Sequence, residues 1–258
     1  MAAQITTEIT SSQIASDNPI HQRLLYAYDA AKPYINGKVL EIGCGEGRGL
    51  EKLAPLCTDY TALDKNDYLL NQLSAKYPKF NFIHTNVPPL NDIEDNSFDV
   101  VVAFQVIEHI QNDQLFIKEI SRVLKPGGKL ILTTPNIALT LTRNPWHERE
   151  YTFDSLKKLV NTHFSKTDAL GITGNQKVWD YYELNKKSVQ KYTRWDILQM
   201  QYWLPAPILR IPYDYLNRRN RNKMMNGNTS LVNAISESDF SISKEPNKCF
   251  DLFFVLTK

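Results

Sequence analysis

The stretch Val39-Leu40-Glu41-Ile42-Gly43-Cys44-Gly45-Glu46-Gly47 decides the fold of this 258-residue chain. Residues 38–43 are a short apolar run closed by glycine, which marks a buried strand. The glycines that follow permit backbone angles that a side chain would forbid, and they let the chain pass close to a ligand. A helix is expected over about 46–55. Strand, glycine turn and helix in that order open a doubly wound α/β sheet, whose ligands lie at the carboxyl ends of the strands.

The same alternation extends outward. TALD at 61–64 ends a second strand, 67–77 is helical, and 80–84 is a third strand. FDVVVAF at 98–104 is a fourth, and its unbroken β-branched run implies burial on both faces. An amphipathic helix over 115–124 stops at Pro126-Gly127-Gly128, an architectural turn that leads into a fifth strand at 129–135. Upstream, 19–33 has helical apolar spacing and ends at Pro33. Downstream come a helix over 152–164 with Thr152 as its cap, a sixth strand within 165–174 and a last strand over 250–257. The expected class is therefore α/β: a doubly wound, mostly parallel, seven-stranded sheet with a helical insertion before its last strand.

Composition narrows the partners. A net charge of +2 argues against a protein that coats nucleic acid. Cys44, Cys57 and Cys249 form no CxxC pair, so neither a disulfide framework nor a thiolate zinc site is expected. Residues 1–17 read as a polar, disordered leader without a signal-peptide core, and 18–258 as the catalytic domain. A cytoplasmic location is the expectation.

The ligand can be argued from charge. A dinucleotide fingerprint would need glycine at position 48, where Arg48 stands. Glu41, inside the strand, suits a ligand with a positive end and would repel a pyrophosphate. Asp64 ends the second strand about 20 residues past the glycines, where such folds hold ribose hydroxyls. These features favour S-adenosylmethionine over a nicotinamide cofactor. An oxidoreductase is the weaker alternative, as is a binding module of the same fold without catalysis.

With VLEIGCGEG, TALD, SFDVVVAFQVIEHI and RVLKPGGKLILTTPN in order, the chain resembles the class I S-adenosylmethionine-dependent methyltransferases over roughly residues 20–175. Its likeness is to the ubiquinone-pathway O-methyltransferases and the broad small-molecule branch. The resemblance implies that Glu41, Gly43, Cys44, Gly45 and Gly47 surround the methionine and ribose parts. Asp64 would hold the ribose, beside Lys65. Asn86 and Val87 would flank adenine, although the family usually carries an acid where Asn86 stands. Phe104 and Gln105 would line the methionine side and face the acceptor.

Methyl transfer mainly needs alignment and desolvation, and a base helps when the acceptor is a hydroxyl. His109 and His147 are the candidate bases, each just past a strand end. QVIEH resembles the E-x-x-E-H metal motif of some O-methyltransferases, but Gln105 replaces the first acid. No metal is assigned, although Glu108, His109 and His147 retain ligand chemistry. In NPWHEREYTF, residues 144–153, Trp146 and Tyr151 could wall the acceptor.

Residues 176–249 are read as a helical lid that selects the acceptor, using Trp179, Tyr181, Tyr182, Trp195, Tyr202 and Trp203. Arg218, Arg219, Arg221 and Lys223 are a local basic run open to a solvated face or to a membrane or anionic-lipid contact. The acceptor is expected to be a small molecule, methylated at a hydroxyl of a metabolite, lipid-linked intermediate or glycan precursor.

Overall fold

The computed structural model describes residues 14–196, 198–245 and 248–258. The sheet begins with β1 (Lys38–Ile42), β2 (Asp59–Asp64), β3 (Asn81–His84), β4 (Phe98–Phe104) and β5 (Leu124–Pro135). Between these lie α2 (Leu50–Leu53), α3 (Asp67–Lys76) and α4 (Asp113–Val123), with α1 (Asn18–Ala31) ahead of them. After β5 come α5 (Phe153–Val160) and β6 (Lys166–Gly174). A helical segment follows: α6 (Gln176–Thr193), α7 (Met200–Trp203), α8 (Ala206–Gly227) and α9 (Thr229–Ala234). The chain returns to the sheet as β7 (Phe240–Ser243) and β8 (Asp251–Thr257).

The strand order is β3-β2-β1-β4-β5-β8-β6-β7. The first five are mutually parallel, while β8 runs antiparallel to both β5 and β6. Alternation along each strand supplies two cores. Leu40, Ile42, Val101 and Ala103 face α4 and α5, whereas Val39, Val100 and Val102 face α1, α2 and α3. Apolar side chains on both faces explain why β4 reads as a continuous run.

Several expectations change. Among the described residues the sheet has eight strands, because the four-residue β7 pairs antiparallel with the outer edge of β6. The helix expected over 46–55 shrinks to Leu50–Leu53 and a 3-10 turn at Ala54–Leu56. Gly47, at φ +77°, keeps its neighbourhood out of helical geometry. Of the supposed leader, residues 1–13 lie outside the described residues, but Ala15–Asp17 forms a 3-10 turn in which Asp17 is fully buried.

Asp17 also corrects the basic run. Its Oδ1 accepts from Arg218 at 2.7 Å and Arg221 at 3.0 Å, so both guanidinium groups turn inward. Arg219 and Lys223 are exposed. The four cations therefore form no single outward patch. The helical segment is tied down elsewhere by Trp146 Nε1 donating to Asp214 at 3.0 Å and by Lys177 pairing with Asp239 at 2.9 Å. Among the described residues, no helix is long and apolar enough to cross a membrane.

Candidate active site

The glycine turn stands at the carboxyl end of β1. Its first residues are pinned to the neighbouring strand, with Gly43 N and Cys44 N both donating to Leu63 O. Gly45 has φ +52°, and a Cβ built there would meet nothing within 4 Å. That open space, on backbone only glycine adopts easily, fits close approach by a ligand. Asp64 organises the floor beside it. One carboxylate oxygen accepts from Gly45 N at 2.8 Å and the other from Asn66 N at 2.9 Å, while the side chain remains only half-buried.

Glu41 sits elsewhere than the charge argument placed it. It is 2% exposed, and its carboxylate accepts from Tyr28 Oη at 2.7 Å and from Tyr60 Oη. Desolvation raises its pKa. Each carboxylate oxygen thus holds one buried tyrosine hydroxyl beneath the turn. Strand alternation explains this placement: Glu41 shares its face with Val39. The side chain of Cys44 is also buried in that core, and burial pushes its thiol far up. Lys65 and Asn86 are exposed past β2 and β3, and Val87 is half-buried. The carbonyl of Lys65 accepts from His84 Nε2 at 3.1 Å.

Phe104 ends β4 inside the core, edge-on to Tyr28 at 4.8 Å. Gln105 has φ +56°, and its Nε2 donates to Thr133 Oγ1 at 3.2 Å. Just beyond, the structure brings together three groups distant in sequence. Ligand atoms of Glu108, His109 and His147 all lie within 4.8 Å of one another. The two imidazoles meet edge to face at 5.0 Å. Burial raises the Glu108 carboxyl to about 7, although nearby His147 pulls the other way.

Hydrogen bonds orient both imidazoles. His109 Nδ1 donates to the Trp146 carbonyl at 2.9 Å. His147 Nδ1 donates to Glu150 Oε1 at 2.8 Å. The Asn144 amide donates to His147 Nε2 at 2.8 Å, so that nitrogen is an acceptor. A carboxylate behind one imidazole nitrogen, with a lone pair on the other, can take a proton from a hydroxyl.

His147 and Glu150 line a cavity of about 250 Å³ between the end of β5, the start of α1 and the helices α6 and α8. Arg23, Asn136, Tyr181 and Tyr182 share its wall. Arg23 is held by buried Asp251 at 3.0 Å. Sequence reasoning missed Glu150, Arg23 and Asp251. Only Glu150 had a signal, three residues beyond His147 in the same acidic-histidine segment. Tyr151 is not part of an acceptor wall: it is 4% exposed and donates to Asp113 at 2.9 Å. Trp146 is covered by Arg210, 4.5 Å above its ring. Of the lid aromatics, Tyr181 and Tyr182 reach the cavity and Trp179 packs on Phe250 at 4.7 Å. Trp195, Tyr202 and Trp203 are exposed.

Comparison with known proteins agrees with this architecture. The family described as "Methyltransferase domain" matches residues 40–132. A "Probable S-adenosylmethionine-dependent methyltransferase" of Mycolicibacterium smegmatis is 36% identical over 178 residues, covering 66% of this chain and 69% of that protein. A relative of the same description from Mycobacterium tuberculosis is 34% identical over 162 residues, and the chain spans only 59% of its length. A SAM-dependent methyltransferase structure from Thermotoga maritima has a TM-score of 0.58 at 14% identity, covering 93% of this chain and 91% of that one. The chain belongs to the S-adenosylmethionine-dependent methyltransferases. It is a methyltransferase enzyme, and its cofactor is S-adenosylmethionine.

Proposed function

We propose that this enzyme methylates an oxygen of a small-molecule acceptor seated in the 250 Å³ cavity, with His147 as the general base. The observation that carries this reading is the pairing of His147 with Glu150 on the cavity wall, at 2.8 Å. The open space at Gly45 and the half-buried carboxylate of Asp64 fit the cofactor, with Asp64 accepting from ribose hydroxyls. Bound there, S-adenosylmethionine supplies an electrophilic methyl on a sulfonium, whose departure leaves a neutral thioether.

The remaining work belongs to the chain. The acceptor hydroxyl replaces the Asn144 amide at His147 Nε2 and gives its proton to that nitrogen. Glu150 holds the ring and stabilises the imidazolium that forms. The lid excludes water, so the reacting pair is desolvated.

Calorimetric titration with S-adenosylhomocysteine, with NADH as control, tests the cofactor half. Heat with the first alone is expected, and a folded protein giving none would sink that half. His147→Ala tests the base half: turnover on a hydroxyl acceptor should fall by about 100- to 10,000-fold at unchanged S-adenosylhomocysteine affinity. Full retained turnover would remove His147 from the mechanism.

A second reading is favoured by the convergence of Glu108, His109 and His147. These three could hold a divalent cation against the acceptor oxygen and lower its pKa. Turnover that vanishes on chelation and returns with added magnesium or manganese would select it. Turnover indifferent to chelation selects the base alone.

A further inference from the structure

Helices α6 and α8 carry matching polar stripes. Tyr181, Asn185 and Ser188 on α6, and Tyr213, Asn217 and Asn220 on α8, stand at positions i, i+4 and i+7, which share one helix face. One end of this pair of stripes is zipped. Ser188 Oγ donates to Asn220 Oδ1 at 2.7 Å, and Asn220 Nδ2 donates to Asn185 Oδ1 at 2.7 Å. The other end is open. Tyr181 and Tyr213 are half-buried on the wall of the cavity beside His147, and among the described residues neither hydroxyl has a hydrogen-bond partner. Elsewhere the enclosed tyrosines are partnered: Tyr28 and Tyr60 by Glu41, Tyr151 by Asp113, and Tyr182 by the Leu139 carbonyl at 3.3 Å. A tyrosine hydroxyl surrounded by protein ordinarily finds a partner, so two that open on one cavity mark where a ligand's polar groups go. Asn185 adds a third group. With Oδ1 taken by Asn220, its Nδ2 remains to donate into the same cavity.

The rest of the wall narrows the ligand. Tyr182 and Phe250, with ring centroids 5.5 Å apart, supply aromatic carbon. Arg23 and Arg221 are each paired with a buried aspartate, Asp251 and Asp17, so neither is an uncompensated cation waiting for an anionic group. The wall therefore asks for C–H surface and several neutral oxygens in one small molecule. A phenol or a simple alcohol has a single oxygen, which is spent at His147, and it would leave three wall groups unpaired.

We propose that the acceptor is a neutral sugar unit, whose reacting hydroxyl meets His147 while its other hydroxyls pair with Tyr181, Tyr213 and Asn185. A sugar hydroxyl both donates and accepts, as a tyrosine hydroxyl does, and the C–H surface of the ring is buried against Tyr182 and Phe250. This proposal rests on the reading that the cavity beside His147 seats the acceptor.

The full chain, saturated with S-adenosylhomocysteine, is titrated calorimetrically with the methyl glycosides of glucose, galactose, mannose and rhamnose, and with phenol and cyclohexanol as single-oxygen controls. At least one glycoside should bind about tenfold more tightly than either control, because a site built to pair hydroxyls rejects a ligand that lacks them. Tyr181→Phe and Tyr213→Phe each remove one oxygen and keep the ring. Each should weaken that glycoside about tenfold, the scale of one lost hydrogen bond, and leave the affinities for phenol and for S-adenosylhomocysteine unchanged. Either variant suffices if the other fails to fold. Controls that bind as tightly as every glycoside overturn the proposal, and so does a glycoside whose affinity both folded variants leave intact. In either case heat with S-adenosylhomocysteine shows that the cofactor site stands. A glycoside held through both tyrosines but not methylated when S-adenosylmethionine is supplied would uphold the sugar site and overturn the assignment of His147 as base instead.

Discussion

The parallel half of the sheet and the helical segment of α6 to α9 differ in how much apolar surface they bury. From β1 to β5 the elements share two continuous apolar cores, with Leu40, Ile42, Val101 and Leu130 at 0% exposure. The helical segment of α6 to α9 buries few apolar side chains, Val178, Met224 and Val232 among them, and adds polar pins, notably Asp17 to Arg218 and Arg221, Trp146 to Asp214, and Lys177 to Asp239. A packed core tolerates little local change, whereas pins fail one at a time.

The largest effect is expected where the rigid half is tightest. Gly43 has φ +75°, and a Cβ there would stand 2.5 Å from Val106 Cγ2. Gly43→Ala should cost about 3 kcal/mol, from left-handed strain plus overpacking, and abolish S-adenosylhomocysteine binding. Gly45→Ala is the counterpart. Nothing crowds its Cβ, so stability should drop by only about 1 kcal/mol while the ligand's room is taken. Melting curves and calorimetry on the pair separate scaffold from site. Equal loss of stability in both would break the distinction.

The same contrast explains what could be read from the sequence. FDVVVAF and the glycine turn announce themselves because burial on two faces leaves a run of apolar residues, and because G-x-G-x-G has few other uses. A pin leaves no such trace. Asp17 looked like part of a polar leader and Arg218 and Arg221 like a surface run, because each partner lies some 200 residues from the other. Glu41 was legible as important but not as inward-facing, since sequence does not say what covers a strand's second face. β7 escaped because Phe240–Ser243 is too short to carry a period, and it exists only as an edge for β6.

An intermediate effect is expected from removing the deepest pin. Asp17→Ala leaves two arginines facing each other, with side chains only 19% and 11% exposed. Breaking a buried pair in this way costs on the order of 3 kcal/mol. The loss should be local. Hydrogen exchange over 206–227 should accelerate while β4 keeps its protection. Uniform acceleration across both would show that the lid and sheet unfold as one unit, and the contrast would fail.

The smallest effect belongs to Asp239, which ties the start of α6 to the approach to β7. Its carboxylate accepts from Lys177 at 2.9 Å, Asn175 Nδ2 at 2.8 Å and Ser236 N at 2.9 Å. Although partial burial works against it, these donors hold its pKa down from 3.8 to about 2. A folded pKa below the unfolded one means that the native state binds fewer protons, so the contribution is complete above about pH 4 and disappears as pH falls towards 2. Lys177 is 36% exposed, so water screens the pair and the contribution is about 1 kcal/mol. Asp239→Asn should therefore be less stable than the wild type at pH 6, and the two should converge as pH approaches 2. Denaturant melts at each pH measure the gap. A gap that persists undiminished at the acid end would mean that the carboxylate's charge is not what pins α6, and that its shape and neutral hydrogen bonds do the holding.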